Sequence, residues 1–373
     1  MQLLSFLIWD ADPELFKVGF LQLRWYGLLF AFGFIISQQL LYYIHKKEGK
    51  PEEDVDTLTV FMVIATIVGA RLGHVLFYEP DKYFADPLEI LMIQKGGLAS
   101  HGAAVGILIA LWIYSNYKIQ FKGFKLLKTK IKRPNQSYFQ VLDRLVILIA
   151  MTAVLIRVGN FVNSEIEGKP TGSSTGVFFA RNVTETLVNS RTGLNSVDYI
   201  KSENQAAKPG IQPIKLIAEF KKGYDEKDVR PYLEYNIKRI LVNDSYVKKH
   251  IYEQPDTPLN YTLVMDKGTW NAIIETNAIV RYPTQIIEAS GYLLVFIILF
   301  MIWVKYKIDL PEGRIFGLFL ILLFGLRFLF EFLKENQVDF ENTLPLNMGQ
   351  LLSIPLIIAG VVVLIRSYKL KSS

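Results

Sequence analysis

The sequence predicts an all-α polytopic membrane protein: seven transmembrane helices, with a small external α+β head between the fourth and fifth spans. Three observations carry that expectation. Hydrophobic residues make up 51% of the 373 and charged residues only 20%, and the mean hydropathy is positive, which is too apolar for a soluble chain of this length. Seven apolar stretches reach the ~20 residues that a helix needs to cross the hydrocarbon core. Lysine and arginine alternate between rich and poor connections as those stretches follow one another.

The spans are expected at residues 20–44, 57–77, 98–117, 141–162, 286–306, 315–333 and 349–366. One set of connections carries Lys46, Lys47 and Lys50; Lys118, Lys122, Lys125, Lys128, Lys130, Lys132 and Arg133; Lys305, Lys307 and Arg314; and Arg366, Lys369 and Lys371. The opposite set has Lys17, Lys82, Lys95 and Lys334. The positive-inside rule places the first set in the cytoplasm, the N-terminus outside and the C-terminus inside. The chain divides into residues 1–170 (four spans and their outer loops), 171–282 (the external head) and 283–373 (three spans). Met1 to Trp9 is followed by Asp10, Asp12 and Glu14 without a basic leader, so no signal peptide is expected.

Within the head, Tyr261 to Met265 and Ala272 to Ile274 read as strands, Ile214 to Lys222 reads as helix, and turns fall at Pro209-Gly210 and Pro255 to Pro258. The Lys-rich stretch 117–135 reads as a solvated connection. The net charge of +6 lies beside apolar spans and serves orientation, so nucleic-acid binding is not expected. Cysteine is absent and the four histidines, His45, His74, His101 and His250, have no metal-ligand spacing. Neither a metal nor a cofactor is expected.

The most informative stretch is Arg157-Val-Gly-Asn160-Phe-Val-Asn163-Ser-Glu165-Ile-Glu-Gly168-Lys-Pro-Thr171. An apolar helix there acquires cationic, amide and acidic groups, then breaks at Gly168 and Pro170. Ionisable groups in a span cost about 2.5–3.5 kcal/mol each on insertion scales and mark function by default. Tyr26, His101, Arg157, Asn160, Glu165, Gln285, Glu288, Arg327, Glu331 and Gln350 all fall in the outer part of their spans. Convergence at one depth predicts a shared polar cavity, because the same groups facing lipid would be unsatisfied. Gly69 and Gly73 in the second span, and Gly102 and Gly106 in the third, form close-packing faces, but packing does not account for Arg71. Asp143 and Arg144 read as an interfacial ion pair.

These residues form a pattern. Arg24-Trp-Tyr-Gly27, Gly96-Gly-Leu-Ala-Ser-His101-Gly102, the 157–171 stretch, Tyr282-Pro-Thr-Gln285-x-x-Glu288-Ala289, Arg327-x-x-x-Glu331 and Met348-Gly-Gln350-x-Leu-Ser353 together resemble the prolipoprotein diacylglyceryl transferase family. The resemblance covers nearly all seven spans in order and little of the head. It implies a seven-helix protein of the bacterial inner membrane, with the head in the periplasm. The implied reaction moves the sn-1,2-diacylglyceryl group from phosphatidylglycerol to the lipobox cysteine of a prolipoprotein signal peptide, releasing glycerol 1-phosphate. His101, Arg157, Asn160, Glu165, Gly168, Arg327 and Glu331 are the implied essential positions, supported by Tyr26. Two departures stand out: Ala103 follows Gly102 where the family often has a second glycine, and Lys334 stands where it often has arginine. The stretch 171–282 is also longer than the usual head.

The chemistry suits the residue types. The nucleophile is the substrate's thiol, about a tenth ionised near pH 7.5 given a pKa of about 8.5, so a general base worth ~10²–10⁴ would help. His101 is the best-tuned candidate, while a thiolate stabilised by a neighbouring arginine is the alternative. Arg157 and Arg327 suit a phosphate leaving group. Glu165 and Glu331 suit orientation of the arginines or proton movement. Asn160 suits the glycerol headgroup, and Tyr26, Gly102, Gly168, Gln285, Glu288 and Gln350 complete the candidate substrate-binding set. A transporter or flippase for an anionic lipid would also use intramembrane charge but would favour internal repeats, and none is evident. A metal-dependent alcohol phosphotransferase would need an Asp-rich motif, whereas the spans hold only Asp143.

Overall fold

The computed structural model describes residues 6–18, 21–92, 96–122, 125–190, 193–204, 206, 208–335, 341 and 343–372. Phe20, the expected start of the first span, and Lys95 lie outside the described residues. In chain order the elements are β1 (Leu7–Trp9), β2 (Glu14–Val18), β3 (Leu21–Arg24), α1 (Trp25–Glu48), α2 (Glu53–Phe77), α3 (Pro80–Ala85), α4 (Ser100–Asn116), β4 (Tyr117–Lys122), β5 (Lys125–Lys130) and α5 (Tyr138–Val162). There follow β6 (Val177–Phe179), α6 (Arg181–Asn189), β7 (Leu194–Lys201), β8 (Ile211–Phe220), α7 (Glu226–Pro231), α8 (Lys238–Asn243), β9 (Ile251–Tyr252), β10 (Tyr261–Asp266) and β11 (Thr269–Ile279). The last helices are α9 (Thr284–Tyr306), α10 (Arg314–Phe330) and α11 (Met348–Ser372).

Among the described residues six helices, α1, α2, α5, α9, α10 and α11, are long and apolar enough to cross a membrane. Each coincides with an expected span. The remaining one, expected at 98–117, is the apolar 17-residue helix α4. At 1.5 Å per residue it is about 26 Å long.

The chain forms two compact units: Met1–Phe30 with Leu155–Ser290 and Phe328–Gln350, and Ala31–Val154 with Gly291–Arg327 and Leu351–Ser373. In the first, β7, β8, β11 and β10 form an antiparallel sheet in the order β10-β11-β8-β7, with β9 added beside β11. Residues 214–222 correct the helical expectation, because the chain there is strand β8. The burial of Gln212, Ile214, Leu216, Ala218 and Phe220 alternates with a period of two, which commits one face to the core and fits a strand alone. Val183 and Leu187 of α6, Val229 of α7 and Leu241 of α8 are buried in the same cluster as that face. The expected strand runs at 261–265 and 272–274 lie inside β10 and β11, and the turns at Pro209-Gly210 and Pro255 are present. Short strand β1 pairs in parallel with β6, and the Trp9 indole donates to the Phe161 carbonyl at 3.0 Å.

In the second unit α2 and α4 pack backbone to backbone. A Cβ at Gly73 would lie 2.6 Å from the Gly102 Cα, and one at Gly106 would lie 2.7 Å from the Ala65 carbonyl oxygen. Both small-residue faces are thus used as expected. The stretch expected as an irregular connection holds a hairpin, with Tyr117 paired to Lys130 and Ile119 to Lys128.

Asp143 and Arg144 form the expected ion pair, though a long one, and each also has closer partners. Their charged groups are 4.0 Å apart at nearest and both side chains are buried. Successive residues on a helix point about 100° apart, so each finds its own partner. Asp143 accepts the Gly313 and Phe316 backbone N–H groups at 2.8 Å each, capping α10. Arg144 donates to Glu48 at 2.8 Å and to the Lys307 carbonyl at 3.0 Å. Trp303 donates to the same carboxylate at 2.7 Å, and Lys50 pairs with it at 2.6 Å. Removing one member of a buried ion cluster costs about 3–5 kcal/mol. Arg144→Met is therefore expected to lower unfolding stability by about that amount, read as the shift in a denaturant titration of the purified protein in detergent.

Candidate active site

Nine of the twelve sequence-predicted site residues lie in the first unit, and most are joined by polar contacts. Arg157 sits near the end of α5, where its Nε pairs with Glu288 Oε2 at 3.1 Å. Glu288 is fully buried in the second turn of α9. Its other oxygen pairs at 2.8 Å with the Lys334 ammonium, which also pairs with Glu331 Oε1 at 2.9 Å. Asn347 donates to the second Glu331 oxygen at 3.2 Å. Charges of alternating sign therefore run Arg157, Glu288, Lys334, Glu331, with both inner members almost wholly out of solvent.

A second branch leaves Arg157 through Asn160. The guanidinium donates to Asn160 Oδ1 at 3.4 Å, and the Asn160 amide donates to Glu165 Oε2 at 3.1 Å. Asn163 holds the other Glu165 oxygen at 3.1 Å. The Gln285 amide, buried one turn before Glu288, donates to the Glu165 carbonyl at 2.6 Å, and the Thr284 hydroxyl donates to the Ile166 carbonyl at 2.9 Å. Ser164 and Ile166 have φ of +52° and +57°. A β-branched residue in that region is strained by about 1–3 kcal/mol and persists only where neighbours over-determine it. Gly168 is fixed by space, since a Cβ there would lie 2.5 Å from the Tyr282 carbonyl oxygen. Tyr26 packs against Gly159, where a Cβ would lie 2.9 Å from its ring. Gln350 takes part in a reciprocal cap of α11: its side chain accepts the Asn347 N–H at 3.1 Å and Asn347 accepts the Gln350 N–H at 2.9 Å.

The other three candidates, His101, Gly102 and Arg327, lie in the second unit. His101 stands exposed in the first turn of α4, with its ring 5.7 Å from those of Phe77 and Tyr78. Arg327 is in the last turn of α10. The buried Arg71, unexplained by packing, is a staple. It donates to the carbonyls of Ile90 at 2.8 Å, Gly96 at 2.7 Å and Gly97 at 3.1 Å, and to that of Glu89, while its guanidinium lies 4.7 Å from the Tyr83 ring centre. It thereby fixes the backbone that leads into His101.

From the sequence Lys334 is an outer-connection lysine and a departure from the family pattern; its place between two carboxylates is not visible there. The signal available was its i,i+3 spacing from Glu331. Glu167, Tyr246, His250 and Arg281 form a further buried cluster against the 163–168 loop, with no local sequence signal.

Six helices apolar and long enough to cross a bilayer define a multi-pass membrane protein, and its first unit holds a buried chain of ions. A family model described as prolipoprotein diacylglyceryl transferase matches residues 13–366. The chain belongs to that family. It is 31% identical to the phosphatidylglycerol–prolipoprotein diacylglyceryl transferase of Tolumonas auensis, covering 98% of this chain and 99% of the relative. It is 31% identical to the protein of the same name from Chloroherpeton thalassium, over 98% and 96% of the two chains. It is 34% identical to that of Porphyromonas gingivalis, over 99% and 97%.

Lys334→Met would leave Glu288 and Glu331 without their common counter-charge. It is expected to destabilise the protein by about 3–5 kcal/mol and, by loosening Arg157, to lower turnover ~10²-fold. Lys334→Arg, which keeps the charge and can bridge two carboxylates, is expected to restore most of both. Melting temperature and initial transfer rates of the two variants check this.

Proposed function

We propose that this chain transfers the sn-1,2-diacylglyceryl group of phosphatidylglycerol to the lipobox cysteine of prolipoproteins, the first step of lipoprotein maturation. The observation that carries the reading is Arg157: a guanidinium held by Glu288 and Asn160 within a motif of the family to which the chain belongs. The cysteine sulfur attacks the terminal glycerol carbon that bears the phosphate ester. A carbon–sulfur bond forms, the carbon–oxygen bond breaks, and the electron pair leaves on sn-glycerol 1-phosphate. The chain needs no cysteine of its own.

Arg157 has five donors in a planar fork. With Nε turned to Glu288 and one donor turned to Asn160, its outer edge suits the phosphate as charge builds on the leaving oxygen. Arg327 takes the same role by its place in the motif. Glu165 and Glu331 orient, and Asn160 binds headgroup. The thiol proton goes to His101, or it goes to water and leaves a thiolate stabilised by arginine, and the two routes differ in their pH dependence.

In this reading α4 is the third of seven spans, at the lower limit of length for a crossing helix. The membrane is the bacterial inner membrane, with the N-terminus and the 171–282 segment periplasmic and the C-terminus cytoplasmic. Labelling from outside should reach a cysteine introduced in 171–282 and leave one beside Ser372 untouched.

The direct test supplies purified protein with acyl-labelled phosphatidylglycerol and a lipobox peptide carrying cysteine or serine. Label on the cysteine peptide alone, with release of glycerol phosphate, is expected. Lipid binding without transfer would replace this reading by transport of an anionic lipid. Arg157→Ala is expected to lower turnover ~10²–10³-fold and His101→Ala ~10²–10⁴-fold, with both proteins still in the membrane. Recovery of His101→Ala as pH rises through about 8.5, the free-thiol pKa, assigns the proton to His101. A loss that does not vary with pH assigns it to the arginine-stabilised thiolate.

A further inference from the structure

Against the strained 163–168 loop lies a second set of buried ionisable groups that the proposed chemistry does not use. Glu167 Oε1 accepts the Tyr246 hydroxyl at 2.6 Å, and Glu167 Oε2 meets the His250 Nε2. The other imidazole nitrogen, Nδ1, lies 3.0 Å from the Tyr246 carbonyl oxygen, and the two rings stack at 4.1 Å. Arg281, at the end of the segment that carries β11, donates to the Gly168 carbonyl at 2.9 Å, pairs with Glu335 at 3.1 Å and lies 4.0 Å from Glu167. From α6, the Asn182 amide donates to the Ser164 carbonyl at 3.3 Å and to the Tyr246 hydroxyl at 3.0 Å. Three separate parts of the sheet-bearing segment therefore grip residues 164–168.

The hydrogen-bond chemistry of His250 fixes its proton count. A carbonyl oxygen only accepts, so Nδ1 must carry a hydrogen. Nε2 then faces a carboxylate, and a lone pair there would repel it. The contact requires a proton between Nε2 and Glu167, on one or the other. Burial, reinforced by the negative charge of Glu167, holds the Tyr246 phenol above its ordinary pKa, so this hydroxyl remains a donor. The groups that face the shared proton are Glu167, Tyr246, Arg281 and, through Arg281, Glu335.

We propose that His250 and Glu167 are positioning residues for the transfer reaction: their clasp holds the 163–168 loop in its strained conformation and thereby sets the Glu165 carboxylate against Asn160 and, through Asn160, Arg157. The inference rests on the reading of Arg157 and Glu165 as working residues. It gives the long insertion between α5 and α9 a task, since His250 and Tyr246 belong to it.

The test compares wild type, His250→Ala, His250→Gln and Glu167→Gln in the labelled-lipid transfer assay, with melting temperatures measured alongside. Wild type must transfer; if it does not, the functional reading fails and the variants are not needed. His250→Ala is expected to lose kcat ~10²-fold, the scale of a 1 Å misplacement, with KM for phosphatidylglycerol changed less than about twofold. His250→Gln keeps a donor towards Glu167. It is expected to recover most of kcat. Should His250→Ala not fold, His250→Gln and Glu167→Gln, which keep the volume, carry the comparison. Wild-type kcat in a folded His250→Ala would overturn the proposal. A His250→Gln that is as impaired as alanine would overturn it equally.

Discussion

Burying charge in an apolar protein is affordable only in pairs, and that constraint organises the first unit. Each buried ion carries an effective penalty of several kcal/mol. Arg157, Glu288, Lys334 and Glu331 meet it by alternating in sign, each inner member shared between two opposite charges. Three segments far apart in the chain must be in register for this: the end of α5, the start of α9 and the turn after α10. An ammonium with three donors can serve two carboxylates as a point charge, so a lysine at position 334 bridges where a planar fork is the family habit. The guanidinium of Arg157 is thereby held from behind and presents its remaining donors forward.

The second unit solves a different problem with a similar device. Its first-turn histidine, His101, follows residues that lack a regular hydrogen-bond ladder. Arg71 supplies the missing donors, taking carbonyls from Glu89 to Gly97. A charge inside a span, costly by itself, here becomes the organiser of a loop backbone. The glycine faces of α2 and α4 bring that backbone close enough to be reached.

What could be read in the sequence was whatever depends on local periodicity and depth. Six spans and the helix at 100–116 follow from runs of apolar residues, and the polar candidates from their shared level in those runs. Pairings made across long separations were hidden. Lys334 looks like an ordinary loop lysine until Glu288 is placed beside it. Asp143 and Arg144 do pair, at 4.0 Å, but their closer partners, the start of α10 and Glu48, lie far away in the chain. Strand β8 was mistaken for helix because Ile214, Leu216 and Ile217 also satisfy a helical spacing over so short a window, and only the sheet shows which alternate residues are buried. His250 and Glu167 are 83 residues apart, beyond any pattern a single sequence displays.

The parallel pairing of β1 with β6 has a consequence for how the protein is made. Trp9 and the Phe161 carbonyl it binds are 152 residues apart, and Val177 comes later still. At about 5–20 residues per second the ribosome needs roughly ten to thirty seconds to deliver the partner. Through that interval four apolar helices have emerged while the first strand waits with its edge unpaired. The N-terminal segment therefore docks only after residue 177 has been made, and its docking covers the end of the helix that carries Arg157.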